Sequence, residues 1–152
     1  MKQYYQEMNQ VLKALLAGEY DMIANLSNAA ALLYQYLPDI NWAGFYLWKN
    51  NELVLGPFQG KVACMHIPYG KGVCGTCIKE LKTQRVENVH KFPDHIACDS
   101  ASNSEIVIPM IIKDQIIGVL DIDSPIFSRF NEVDEAYLTE FVHILTSSFS
   151  IQ

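Results

Sequence analysis

The chain has 152 residues, half of them hydrophobic, with 8 glycines, 6 prolines and a formal net charge of -6. That length suits one domain spanning residues 1–152, and the composition is that of a folded globular protein. An acidic balance with no basic run excludes the electrostatic footprint of a nucleic-acid binder, and no apolar run approaches the ~20 residues that a membrane span needs.

In chain order, Tyr5, Met8, Val11, Leu12, Leu15 and Leu16 recur at helical spacing and predict a helix over Lys2 to Ala17 that stops at Gly18. The same stretch lacks the apolar core of a secretory signal, so a cytoplasmic location is expected. A second helix is predicted from about Asp21 to Leu37, ended by "LPD". The period then changes to two. "WAGFYLWK" (Trp42 to Lys49) and "ELVLGPFQ" (Glu52 to Gln59) flank Asn50-Asn51 and read as a β-hairpin. "ACMHIP" is a third short strand, and "GKGVCGTCIKELK" is a glycine-rich turn feeding a helix that begins near Val73. "TQRVEN" predicts another short strand, followed by a loop from Val89 to Asn103. "EIVIPMII" and "QIIGVLDIDS" form a second hairpin around Lys113-Asp114, and Asn131 caps a last helix from about Glu132 to Phe149. Hairpins in sequence with helices gathered at the ends predict an α+β domain built on an antiparallel sheet.

The chemistry-bearing residues are unevenly spread. All four cysteines fall between Cys64 and Cys98, with Cys74 and Cys77 between them. "CGTC" at a helix start suggests thiol–disulfide exchange, but the thioredoxin-like fold needs a parallel βαβ unit leading into it, and here a hairpin and a third strand precede it. Cys64, His66, Cys74, Cys77, His90, His95 and Cys98 suggest zinc. Only one half of a tetrahedral site has the spacing, so no resident metal is expected. A redox relay fits better: an accessible thiol that reduces a substrate becomes a sulfenic acid, and a second thiol condenses with it. Cys98 lies in a small-residue segment, and Cys74 at a predicted helix start gains from the positive end of the helix dipole.

Asp121 and Asp123 are two apart in a strand and so project from one face, with Leu120 and Ile122 on the other. Glu105 opens the partner strand. Three carboxylates on adjoining strands would make a pocket for an ammonium group; alternatively, the two aspartates sit in water at a frayed strand end. Trp42 and Tyr46 share a strand face with Gly44 between them. They read as one wall of a seat for a small amino compound, or simply as core packing.

"NWAGFYL", "GPFQGKVACMHIPYGKGVCGT", "FPDHIACDSASNSEIVIP" and "GVLDIDSPIFSRFNEVDE" together resemble the free methionine-(R)-sulfoxide reductases, small enzymes with a GAF fold. The resemblance runs from about Asn41 to Glu135, and it includes the separations of Cys64, Cys74 and Cys98, 10 and 24 positions. It implies a single GAF-like catalytic domain that reduces free L-methionine-(R)-sulfoxide without a cofactor. It implies Cys98 as the catalytic thiol, with Cys74 and Cys64 as the resolving or recycling pair. Glu105, Asp121 and Asp123 match the substrate-binding acids, and Trp42 and Tyr46 the aromatics around the methylsulfinyl end. Thioredoxin as reductant and a homodimer are implied as well. Cys77 stands where the family usually carries a small residue. The rival reading is a ligand-binding or redox-sensing GAF domain without turnover, although most such domains lack the cysteine trio.

Overall fold

The computed structural model describes residues 2–95 and 101–149. Its elements follow as α1 (Tyr4–Leu16), α2 (Met22–Tyr36), β1 (Trp42–Lys49), β2 (Glu52–Gly60), β3 (His66–Pro68), α3 (Gly72–Glu80), β4 (Gln84–Val86), β5 (Ser104–Ile112), β6 (Gln115–Ser124) and α4 (Glu132–Ser147). A 3₁₀ turn at Val89–Lys91 interrupts the segment expected to be loop.

Six strands form one sheet in the order β3-β2-β1-β6-β5-β4, with every pair antiparallel. Both predicted hairpins close through two residues at positive φ: Asn50 and Asn51 (52° and 64°), and Lys113 and Asp114 (49° and 66°). That backbone twist matches the strands it joins.

Strand alternation divides the sheet into two faces. Ala43, Phe45, Leu47, Ile106, Ile108, Met110, Leu120 and Ile122 bury against Tyr5, Met8, Leu12, Leu26, Leu33, Leu138 and Phe141 of α1, α2 and α4. Residues one step out of phase, Trp42, Tyr46, Val107 and Val119, face α3 and its Val73, Cys74, Cys77 and Ile78. Gly75 brings α3 close to the end of β3, since a Cβ there would lie 2.5 Å from the Pro68 carbonyl oxygen.

One buried acid pins the start of α1 to the start of α4. Asp134 completes a capping box with Asn131, accepts from the Tyr5 hydroxyl at 2.7 Å and from Arg129 Nη1 at 3.1 Å, and pairs with Lys2. Burial alone would raise its carboxyl, but the bonds from Lys2, Asn131 and Tyr5 and the Arg129 charge hold it below the usual range. Among the described residues no helix is long and apolar enough to cross a membrane.

Candidate active site

The out-of-phase face of the sheet carries the acids. Asp123 lies opposite Trp42 on one side and Glu105 on the other, while Asp121 lies between Gly44 and Val107. The cross-strand register therefore gathers three carboxylates from two strands beside the aromatics of a third. The N-terminal turn of α3 closes the far wall with Cys74. Trp42, Tyr46, Lys71, Cys74, His95, Ser102, Glu105, Asp121 and Asp123 all line the resulting pocket.

Burial rules out the frayed-end alternative for Asp121, which is 5% exposed, and Glu105 on the neighbouring strand is 6% exposed. Asp123 is half-buried. Trp42 and Tyr46 stack with centroids 5.9 Å apart, but the space above Gly44 is not open. Phe58 fills it, stacking on Trp42 at 5.1 Å, and a Cβ on Gly44 would come within 2.3 Å of the Phe58 Cβ. Both aromatics also reach upward. Trp42 Nε1 donates to the Lys61 carbonyl at 3.1 Å and the Tyr46 hydroxyl to the Cys64 carbonyl at 2.9 Å, which holds the segment carrying Cys64 over the pocket.

Burial dominates the electrostatics. It pushes the Glu105 carboxyl well above the usual range, reinforced by the charges of Asp121 and Asp123. Burial likewise raises Asp121, although interactions with Glu105 and Cys74 oppose it. Asp121 Oδ1 is buried without a hydrogen-bond partner. A buried acceptor left unpaired costs about 1–3 kcal/mol, so this oxygen marks where a donor from a ligand would be most strongly held. Burial and the neighbouring His90 lower the His95 imidazole, which favours its neutral form.

This arrangement carries a stability cost that is testable. A carboxyl whose folded pKa is raised favours the fold fully below its unfolded value, near 4.3. That contribution is lost as pH rises through the folded value. We expect the ligand-free protein to lose stability from mildly acidic to neutral pH. Glu105→Gln should flatten that slope and raise Tm more at pH 7.5 than at pH 5. Thermal melts from pH 5 to 8 check it; an unchanged slope in the variant would reject the assignment.

The thiols separate into two kinds. Cys74 and Cys77 are buried free thiols. The helix start does not lower Cys74 as the sequence reading expects, because burial and the adjacent Asp121, Glu105 and Asp123 push it well above the usual thiol range. Cys77 faces away from the pocket toward the Val107 carbonyl at 3.8 Å, and burial pushes it up to about 12. Cys64 sits half-buried in the segment after β2 and is disulfide-bonded. Cys98 lies outside the described residues. Of the cysteines and histidines considered for zinc, His66 pairs with Glu52 and His90 with Asn103; Cys74 instead joins the acids. Lys71 and Ser102 were not foreseen: they come from a turn and a loop, which have no period to place them.

The GAF domain family matches residues 14–148. A protein of Escherichia coli (strain K12) named free methionine-R-sulfoxide reductase is 57% identical over 140 residues, covering 92% of this chain and 85% of that one. The chain belongs to the free methionine-R-sulfoxide reductase family of GAF domains. Solved structures of the family agree in the fold. The reduced form of fRMsr of Staphylococcus aureus superposes with a TM-score of 0.94 at 52% identity, covering 95% of this chain and 94% of that one. The free methionine-R-sulfoxide reductase of Neisseria meningitidis, in complex with its substrate, gives 0.93 at 44% identity, covering 96% and 88%. The α+β GAF fold and the family expected from the sequence are both borne out.

Proposed function

We propose that this chain reduces free L-methionine-(R)-sulfoxide to L-methionine in the pocket between β1, β5, β6 and α3. The observation that carries the reading is the convergence of three buried or half-buried acids, one with an unpaired oxygen, on a stacked Trp42–Tyr46 wall beside the cysteine-bearing segments. Such a pocket suits a small molecule with an ammonium at one end and an apolar, weakly polar tip at the other. The named activity of the relatives supplies the class of that molecule.

Asp121 and Asp123 receive the ammonium. The substrate's carboxylate lies toward the first turn of α3, which has no side-chain cap, and toward Lys71. Its methyl group packs on Trp42 and Tyr46. Glu105, whose carboxyl burial pushes well above the usual range, donates to the sulfoxide oxygen and makes the sulfur electrophilic. Cys98 thiolate attacks that sulfur. Overall the oxygen passes from substrate sulfur to cysteine sulfur, leaving methionine and a Cys98 sulfenic acid. A resolving thiol then displaces water to form a disulfide. Cys64 fills that role first, since it lies over the pocket and is already disulfide-bonded, whereas Cys74 is a buried free thiol. Thioredoxin returns the two electrons, in a reducing cytoplasm and, as the resemblance implies, in a homodimer.

Stereochemistry tests the proposal. With the methyl group on the aromatics and the oxygen on Glu105, only one epimer presents its sulfur to the attacking thiol. Anaerobic assays with dithiothreitol on each free epimer should give methionine from the R form and at least a hundredfold less from the S form. Equal rates, or none from either, would reject the reading.

A further inference from the structure

Sulfoxide reduction leaves one feature of the pocket without a use in the resting enzyme. Cys74 Sγ, a carboxylate oxygen of Glu105 and one of Asp121 all lie within 4.8 Å of one another, and all three side chains are buried. Cys74 Sγ stands 4.0 Å from Glu105 Oε2. Independently, Asp121 Oδ1 is buried with no hydrogen-bond partner, so the cluster is short of a positive or hydrogen-donating occupant. Bond lengths of about 2.3 Å to sulfur and about 2.0–2.2 Å to oxygen put neighbouring donors of a tetrahedral ion about 3.5 Å apart. Rotamer adjustment of roughly an ångström would bring all three donors onto one ion.

We propose that this cluster binds a zinc ion when substrate is absent and thereby blocks the reductase. A sulfur donor with two carboxylates favours zinc over magnesium or calcium, which take shells of oxygen. Half-buried Asp123, two residues along the same strand, or a water completes the fourth position. Binding forms one Zn–S and two Zn–O bonds, releases the Cys74 thiol proton and the Glu105 carboxyl proton to solvent and changes no oxidation state. This is not a resident structural ion, since none of the three residues ties together elements that the sheet and core do not already join. Its effect is to occupy the seat of the substrate's ammonium. The block rests on the proposed function; the binding does not.

The experiment separates the two. Reduced Cys98→Ser protein, which lacks the attacking thiol, is titrated with Co²⁺ as a spectroscopic probe and with Zn²⁺ by calorimetry. One ion per chain is expected, with a thiolate-to-cobalt charge-transfer band. Cys74→Ser should lose the band, Asp121→Asn should weaken binding at least tenfold, and Cys77→Ala should change neither. No stoichiometric binding, or a band that survives Cys74→Ser, would overturn the site. In wild-type single turnovers without added reductant, Zn²⁺ should raise the methionine sulfoxide concentration needed for half-maximal rate at least tenfold and leave the maximal rate unchanged. Binding without that competition would overturn the block alone and place the substrate elsewhere.

Discussion

Cys98→Ser protein should yield no methionine even in a single turnover, a loss of at least a thousandfold against the wild type. Neither buried thiol is equipped to replace it. Cys77 faces away from the pocket, and with its thiol pushed up to about 12 it ionises in roughly one molecule in 10⁵ at pH 7. Cys74 reaches the pocket, but burial and three acids hold it protonated, and a thiol is a far weaker nucleophile than a thiolate. Cys64→Ser should instead release close to one methionine per chain and then stop under thioredoxin, because the first reduction needs only the attacking thiol. Quenched single-turnover assays measure both. Substantial product from Cys98→Ser would transfer the attack to Cys74 or Cys64 and overturn the relay proposed above.

A comparable loss is expected when the substrate's amino group is acylated. Free methionine sulfoxide brings a cation to Asp121 and Asp123, whereas an N-acetyl or peptide-bound sulfoxide brings a neutral amide and added bulk. Forfeiting a charge-assisted contact at a buried carboxylate costs about 2–4 kcal/mol, roughly thirty- to a thousandfold in kcat/KM. The discrimination should be carried by the acid whose oxygen lacks a partner. Asp121→Asn should therefore lower kcat/KM for the free amino acid by about 2 kcal/mol, roughly thirtyfold, while barely changing the acetylated substrate. Wild-type kcat/KM equal for both substrates, or an Asp121→Asn loss shared by both, would remove the ammonium seat from that end of the pocket.

Much of the framework was legible because it rests on local periodicity. The spacing of Tyr5, Met8, Leu12 and Leu16 foretold the buried seam of α1, and Asn50-Asn51 and Lys113-Asp114 foretold the hairpins, since few residue pairs accept positive φ in succession. The two-residue step from Asp121 to Asp123 put both acids on one face, because strand alternation is a property of the backbone. Sequence left open whether that face met water or protein.

Tertiary structure decided it. β6 is an inner strand, flanked by β1 and β5, so Asp121 and Glu105 are covered by α3, an element from a distant part of the chain. The same packing reverses the expectation for Cys74. Its helix position favours the thiolate by at most about 1 kcal/mol at an exposed site, and desolvation beside three acids outweighs that. Phe58 over Gly44, and the Trp42 and Tyr46 bonds that hold the Cys64 segment, were likewise invisible. They depend on which strands lie side by side and in what register, and no local pattern encodes a contact between residues so far apart. The sequence by itself determined the elements, the faces of the strands and the family; burial, charge state and the meeting of the site's walls came only with the fold, because each is set by what packs against a residue and not by its neighbours in the chain.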